Sequence, residues 1–140
     1  MKKALILYHS KTGITKRFAG EIAGYLAQKQ ADTVVKAITE FVPEDLAGTG
    51  FVLFGCWTHG LMIFLQHPEK IWVDFARQLP GLGDKKIAVF TTYKLATGSM
   101  FRKMKMHIPG GPEKVSLELK SRNGFLSATH KADLDHFIEG

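Results

Sequence analysis

The stretch Ala4-Leu5-Ile6-Leu7-Tyr8-His9-Ser10-Lys11-Thr12-Gly13-Ile14-Thr15 decides the fold. Residues 4–8 are apolar without a break, which suits a short strand buried on both faces. A turn rich in hydroxyls follows, and then Ile14, Phe18, Ile22 and Leu26 recur at four-residue spacing, one stripe of a helix. Buried strand, Ser/Thr/Gly turn and helix in that order make the first unit of a parallel α/β sheet. The turn itself has chemistry. A helix N-terminus presents unpaired N–H groups and the positive end of the helix dipole, so it attracts anions. Gly13 lets the backbone come close to a phosphate, and the hydroxyls of Ser10, Thr12 and Thr15 can donate to phosphate oxygens. The spacing is neither that of a GxGxxG dinucleotide turn nor that of a P-loop. Without a ligand, the same residues make a plain turn with Ser10 or Thr12 as N-cap.

Working outward, strands continue to alternate with helices. Residues 34–38 form a second strand interrupted by Lys36, and Pro43 can open a short helix. Phe51-Val52-Leu53-Phe54 reads as a third strand, apolar throughout and ending at Gly55. Pro68 can begin a helix reaching about Leu79, with Ile71, Phe75 and Leu79 on its inner face, and Ile87-Ala88-Val89-Phe90 is a fourth strand. A basic helix over residues 98–108 turns Met100, Phe101, Met104 and Ile108 inward before Pro109-Gly110-Gly111-Pro112 stops it. Val115-Ser116-Leu117-Glu118-Leu119-Lys120 alternates strictly, so only one of its faces is dry. A last helix over about residues 131–139 has Leu134, Phe137 and Ile138 inward and Thr129 as its N-cap. Strands one, three and four are apolar on both faces and belong at the centre; strands two and five carry polar residues and belong at the edges. With right-handed crossovers this gives an α/β doubly wound three-layer sandwich, a five-stranded parallel sheet in the order 2-1-3-4-5. Its ligand crevice lies at the carboxyl ends of strands one and three.

The 140 residues fit a single domain with no repeats or linkers, and 45% hydrophobic with 23% charged residues is ordinary for a soluble globular chain. No apolar run reaches the ~20 residues of a membrane span. The apolar run behind Met1-Lys2-Lys3 is shorter than the about 7–15 residues of a secretory signal, so a mature N-terminus and a reducing cytoplasm are expected. One cysteine, Cys56, leaves no internal disulfide, and as a lone thiol at a strand end it reads as a small buried hydrophobe. The six histidines lack zinc spacing; His9 reads as a supporting or surface residue. Charge is uneven. Residues 94–122 hold seven Lys/Arg and two acids, a net +5 of the chain's +6. Such a stretch attracts anionic partners, unless it is only a solvated helix face followed by an edge strand.

Residues 10–15 match the flavodoxin phosphate pattern Ser/Thr-x-Thr-Gly-x-Thr at every defined position, and they lie where that family has it. The chain therefore resembles the short-chain flavodoxins over nearly its whole length. The resemblance implies non-covalent FMN, its phosphate on Ser10, Lys11, Thr12, Gly13, Ile14 and Thr15 and its ring between two loops. The first loop, Cys56-Trp57-Thr58-His59-Gly60, is similar to the family's Gly-Cys-Ser-Thr-Trp-Gly with Gly55, Cys56, Thr58 and Gly60 in register. Its aromatics depart from the family, so either Trp57 or His59 covers the inner ring face. Gly60 would offer its carbonyl to flavin N(5). Trp57 could instead pack on Met62 and Phe64. The second loop holds Thr91, Thr92, Tyr93, Lys94 and Leu95, with Tyr93 implied to stack on the outer face and backbone groups of residues 91–95 to reach the pyrimidine edge. Here too the chain departs. Lys94, and beyond it Arg102, Lys103 and Lys105, stand where the family is acidic. Positive charge stabilises an anionic reduced ring, so a less negative potential for the last electron is expected.

The function these features imply is an FMN-dependent electron carrier working between redox proteins, whose docking surfaces are expected to be acidic, with no membrane span and no nucleic acid. Two alternatives stay open. One is a flavin oxidoreductase with its own quinone or porphyrinogen substrate. The basic, methionine-rich residues 100–111 resemble flavodoxin-like protoporphyrinogen oxidases, although the long insertion of those proteins is missing. The other is a flavin-free binding module that uses the basic 94–122 surface.

Overall fold

The structure is a computed structural model and describes residues 2–58 and 67–140. Five parallel strands form one sheet in the order β2-β1-β3-β4-β5. In chain order the elements are β1 (Lys3–His9), α1 (Ile14–Gln28), β2 (Asp32–Ala37), β3 (Phe51–Trp57), α2 (Lys70–Arg77), β4 (Lys86–Thr92), α3 (Met100–His107), β5 (Val115–Ser121) and α4 (Ala128–Glu139). Short 3₁₀ turns at Ile38–Glu40, Pro43–Leu46 and Pro112–Lys114 fill the connections. The strand order is the one that the polarity of the strands requires.

The two faces of the sheet bury different layers. Ala4, Ile6, Leu53, Ala88, Phe90 and Leu119 meet Phe18, Ile22 and Leu26 of α1 and Leu134, Phe137 and Ile138 of α4. Leu5, Leu7, Val52, Phe54, Cys56, Ile87 and Val89 meet Trp72 and Ala76 of α2 and Met100 and Met104 of α3. Alternation along each central strand sends successive apolar residues to opposite layers, which is why those strands read as unbroken apolar runs.

Several boundaries differ from the sequence expectation, each for a physical reason. Gly55 does not end β3, which runs on to Trp57. The ring of Phe90 lies over Gly55, so close that a Cβ there would sit 2.0 Å from Phe90 Cε2. The glycine is a space left for an aromatic, not a stop. In α2 the inner face is carried by Trp72 and Ala76, while Ile71 points out at 44% exposure. The helix runs from Lys70 to Arg77, shorter at both ends than the expected span from Pro68 to Leu79, while Phe75 and Leu79 do pack into the core. The N-cap of α4 is Ser127, not Thr129: its Oγ accepts the His130 N–H at 3.1 Å, and His130 Nδ1 accepts the Ser127 N–H at 3.0 Å. A histidine in the third helical position completes a capping box, a role the sequence pattern reserves for Glu or Gln. In β2, Ile38 leaves the strand for the 3₁₀ turn. Phe101 is half-buried and packs against the α2/α3 side of the core, as its inward placement in the sequence implies. Finally, β5 carries an extra residue: Ile87 pairs with Val115 but Ala88 pairs with Leu117, so Ser116 bulges out of register.

Cys56 is fully buried on the α2/α3 side of β3. Burial pushes its thiol up to about 12. The folded thiol therefore keeps its proton where the unfolded chain's thiol, near about 8.5, ionises. That contribution to stability is complete below the unfolded value and fades as pH rises toward the folded one. A thiol-specific colour reagent at mildly alkaline pH should find almost no reactive thiol in the native protein and one per chain in denaturant. Rapid native labelling would contradict the packing of β3.

Candidate functional site

The carboxyl ends of β1, β3 and β4 come together at one end of the sheet. The strand order reverses between β1 and β3, since β2 flanks β1 on one side and β3 flanks it on the other. A crevice opens outside the strand ends at such a switch point. The turn of residues 10–15 stands at its rim and leads into α1.

Gly13 is the N-cap of α1, in the left-handed region at φ 93°. A Cβ built there meets nothing within 4 Å, so glycine is required by the torsion and not by crowding. No side chain caps this helix, and its first turn holds no acidic residue. The N–H groups of that turn lack intrahelical acceptors, as at any helix start. The Gly13 N–H donates to Ser10 Oγ at 3.0 Å, which holds the turn closed and leaves the Ser10 hydroxyl proton to donate elsewhere. Lys11 and Thr12 are exposed on the same turn. An anion would supply the cap that the sequence withholds, so this donor set fits a phosphate.

Thr15 is placed differently from Ser10 and Thr12. It is fully buried, and its Oγ shares a 2.5 Å hydrogen bond with Thr92 Oγ at the end of β4. Only one of two paired hydroxyls donates within the pair, so the other keeps a proton for a further acceptor. The pair also ties α1 to β4. A second pair lies beside it: Thr91 Oγ1 is 2.7 Å from Thr58 Oγ1 and also donates to the Cys56 carbonyl at 2.6 Å. The Thr58 N–H donates to the Thr92 carbonyl at 2.8 Å. Threonine hydroxyls thus lock the start of the first expected ring loop to the root of the second. Sequence reading assigned Thr91 and Thr92 to a loop. The structure makes them the last residues of β4, flanked by β3 and β5, with buried side chains.

Trp57 closes β3 and packs against the α2/α3 layer. The Lys11 ammonium lies 5.0 Å from its ring centre, bridging the turn of residues 10–15 and the end of β3. His59 and Gly60, expected around the flavin ring, lie outside the described residues, as do Met62 and Phe64. Tyr93 follows β4 and is half-buried. Its N–H donates to the Ser121 carbonyl, and Lys120 and Arg122 lie 5.8 and 5.4 Å from its ring centre. Leu95 and Lys94 are exposed beyond it. On the other side of the crevice, His9 Nε2 and Glu69 Oε1 are 3.2 Å apart, joining the end of β1 to the residue before α2. That contact was not legible in the sequence: sixty residues separate the two, and nothing in either neighbourhood marks a pair.

No protein-family model matches the chain. It is 34% identical over 91 residues to a flavodoxin from Maridesulfovibrio salexigens, an alignment covering 64% of this chain and 62% of that protein. The alignment thus spans less than two thirds of the curated relative's length. The solution structure of two-electron reduced Megasphaera elsdenii flavodoxin superposes with a TM-score of 0.69 at 22% identity, covering 94% of each chain. The chain has the flavodoxin-like fold. Oxidised flavodoxin 1 from Bacillus cereus gives 0.65 at 19% identity over 99% of this chain and 96% of its own. A rubredoxin oxygen:oxidoreductase from Desulfovibrio gigas gives 0.74 at 14% identity, with the flavodoxin-like chain covering 35% of that longer protein. These likenesses fix the fold, including the sheet order.

Proposed function

We propose that this chain binds FMN non-covalently and carries electrons between redox proteins. The observation that carries the reading is the turn of residues 10–15: an uncapped helix N-terminus with Gly13 in the left-handed region, set at the switch point of the sheet. The similarity to a curated flavodoxin supports it. Ser10, Thr12, the backbone of residues 11–15 and the spare proton of the Thr15–Thr92 pair would hold the phosphate. Trp57, Thr58, His59 and Gly60 on one side, and residues 91–95 with Tyr93 on the other, would flank the ring; the Cys56 side chain stays inside. FMN supplies the redox chemistry when bound. The protein's share is to hold the phosphate, exclude water from the ring faces and set the charge around it. The 140 residues act in this reading as one domain in a reducing cytoplasm, with partners that present acidic surfaces. No helix among the described residues is long and apolar enough to cross a membrane.

Titration of the purified protein with FMN tests the reading. Saturable quenching of flavin fluorescence at one FMN per chain, with a shifted flavin absorption spectrum, is the expected result. A protein that stays colourless in excess FMN would refute it.

The charge around the ring gives a second test. Lys94 is exposed in the second ring loop and forms no ion pair among the described residues. Lys94→Glu should make the potential of the last electron more negative, by an amount on the order of 1 kcal/mol for a charge reversal close to the ring. The shift should shrink in high salt. A potentiometric titration in which the variant and the parent coincide at low salt would remove Lys94 from the account.

A further inference from the structure

Around Tyr93, at the rim of the proposed cofactor site, the surface combines cations with exposed apolar side chains. Leu95 and Phe125 are 65% and 51% exposed, among the largest apolar exposures on the described surface. They belong to one patch. Arg122 donates to the Leu95 carbonyl at 3.4 Å, Tyr93 donates to the Ser121 carbonyl, and Ser121 Oγ donates to the Phe125 carbonyl at 3.3 Å. Four cations stand among them. Lys120 and Arg122 lie by the Tyr93 ring, Arg17 lies 4.8 Å from the centre of the Phe125 ring, and Lys94 adjoins Leu95. None of the four forms an ion pair among the described residues. Two acids of the neighbouring elements are already engaged: Glu118 pairs with Lys105 at 2.5 Å, and Glu21 accepts the Leu126 N–H at 3.3 Å.

We propose that this face, with Leu95 and Phe125 as apolar anchors inside a ring of Arg17, Lys94, Lys120 and Arg122, is the docking surface for an acidic electron-transfer protein. The inference rests on the electron-carrier reading for why a partner comes to this edge of the crevice, and deepens it by naming the face and its anchors. Unneutralised cations of one sign steer an oppositely charged partner and fix its orientation. Exposed aromatic and aliphatic side chains beside arginines supply the desolvated centre on which protein contacts depend. Nucleic acid fits less well. The cations lie by the rings on which bases would stack, and the patch is compact rather than a groove that tracks a strand.

The test uses the ¹⁵N-labelled protein as purified, titrated at low salt with zinc-substituted rubredoxin, a small acidic protein, as the probe. Amide shifts at residues 93–95 and 120–126 are expected, fading in high salt as the charges are screened. Phe125→Ser and Arg122→Glu should each weaken binding about tenfold or more. Phe125→Ser changes an exposed side chain, so it reads the surface even if Arg122→Glu disturbs Tyr93. No shifts at low salt, shifts confined to α3, equal engagement by basic cytochrome c, or tighter binding of a thymidine oligonucleotide to the same amides would each overturn the proposal. The two readings fail separately. A chain that cannot hold FMN but still meets rubredoxin on this face loses the carrier function and keeps the docking surface; a chain that holds FMN and ignores rubredoxin does the reverse.

Discussion

Gly55→Val is expected to destabilise the protein by about 3 kcal/mol or more, at the upper end of what overpacking a core costs. The magnitude follows from one contact. A Cβ on Gly55 would lie 2.0, 2.2 and 2.6 Å from three carbons of the Phe90 ring, and Phe90 is itself fully buried against Phe18, with ring centres 5.8 Å apart. The ring has nowhere to go without opening the layer between the sheet and α1. Phe90→Ala alone should cost about 3–5 kcal/mol through the cavity it leaves. The double variant Gly55→Val/Phe90→Ala should be far more stable than the sum of its parts, because removing the ring makes room for the valine. Urea unfolding of the three variants measures the coupling. Simple additivity would mean that Gly55 is glycine for some other reason.

Gly13→Val should weaken FMN binding about 10- to 100-fold while leaving the fold intact. The position lies at φ 93°, where a side chain costs about 1–2 kcal/mol and a β-branched one more. Since a Cβ meets nothing there, the penalty is torsional, and the turn can relieve it only by moving its N–H groups. Gly13→Asn, which tolerates this conformation better, should fall between parent and valine. Titration with riboflavin, which lacks the phosphate, provides the control: its affinity should be the same in all three proteins. If riboflavin and FMN lose affinity equally, the turn is not the phosphate site.

Much of this was legible in the chain itself. Strand order followed from which runs were apolar on both faces, because burial on two sides leaves no freedom to place a polar residue. The uncapped glycine turn was legible because its features are local: the hydroxyls, the glycine and the helix start lie within six residues. What sequence reading missed depends on partners far apart in the chain. Gly55 looked like a strand end because its meaning is a ring thirty-five residues later. Thr91 and Thr92 looked like loop residues because their hydroxyls are satisfied by Thr58 and Thr15, and threonine signals turn and strand equally well. In α2, Ile71 and Trp72 compete for the inner face, and only the layer above the sheet decides for the tryptophan. The cations near Tyr93 come from β5 and its following loop as well as from Lys94, so a charge count along residues 94–122 found their excess but not their convergence.

The extra residue in β5 reaches beyond this molecule. β5 lies at the sheet's edge, where its outer backbone groups could recruit a strand from another chain. A straight, regular edge would serve as a template for such growth. With Ser116 out of step, a second strand could match only a few residues before losing register. Concentrated solutions should therefore remain free of fibrils, and straightening the strand by deleting Ser116 is the change that would put that property at risk.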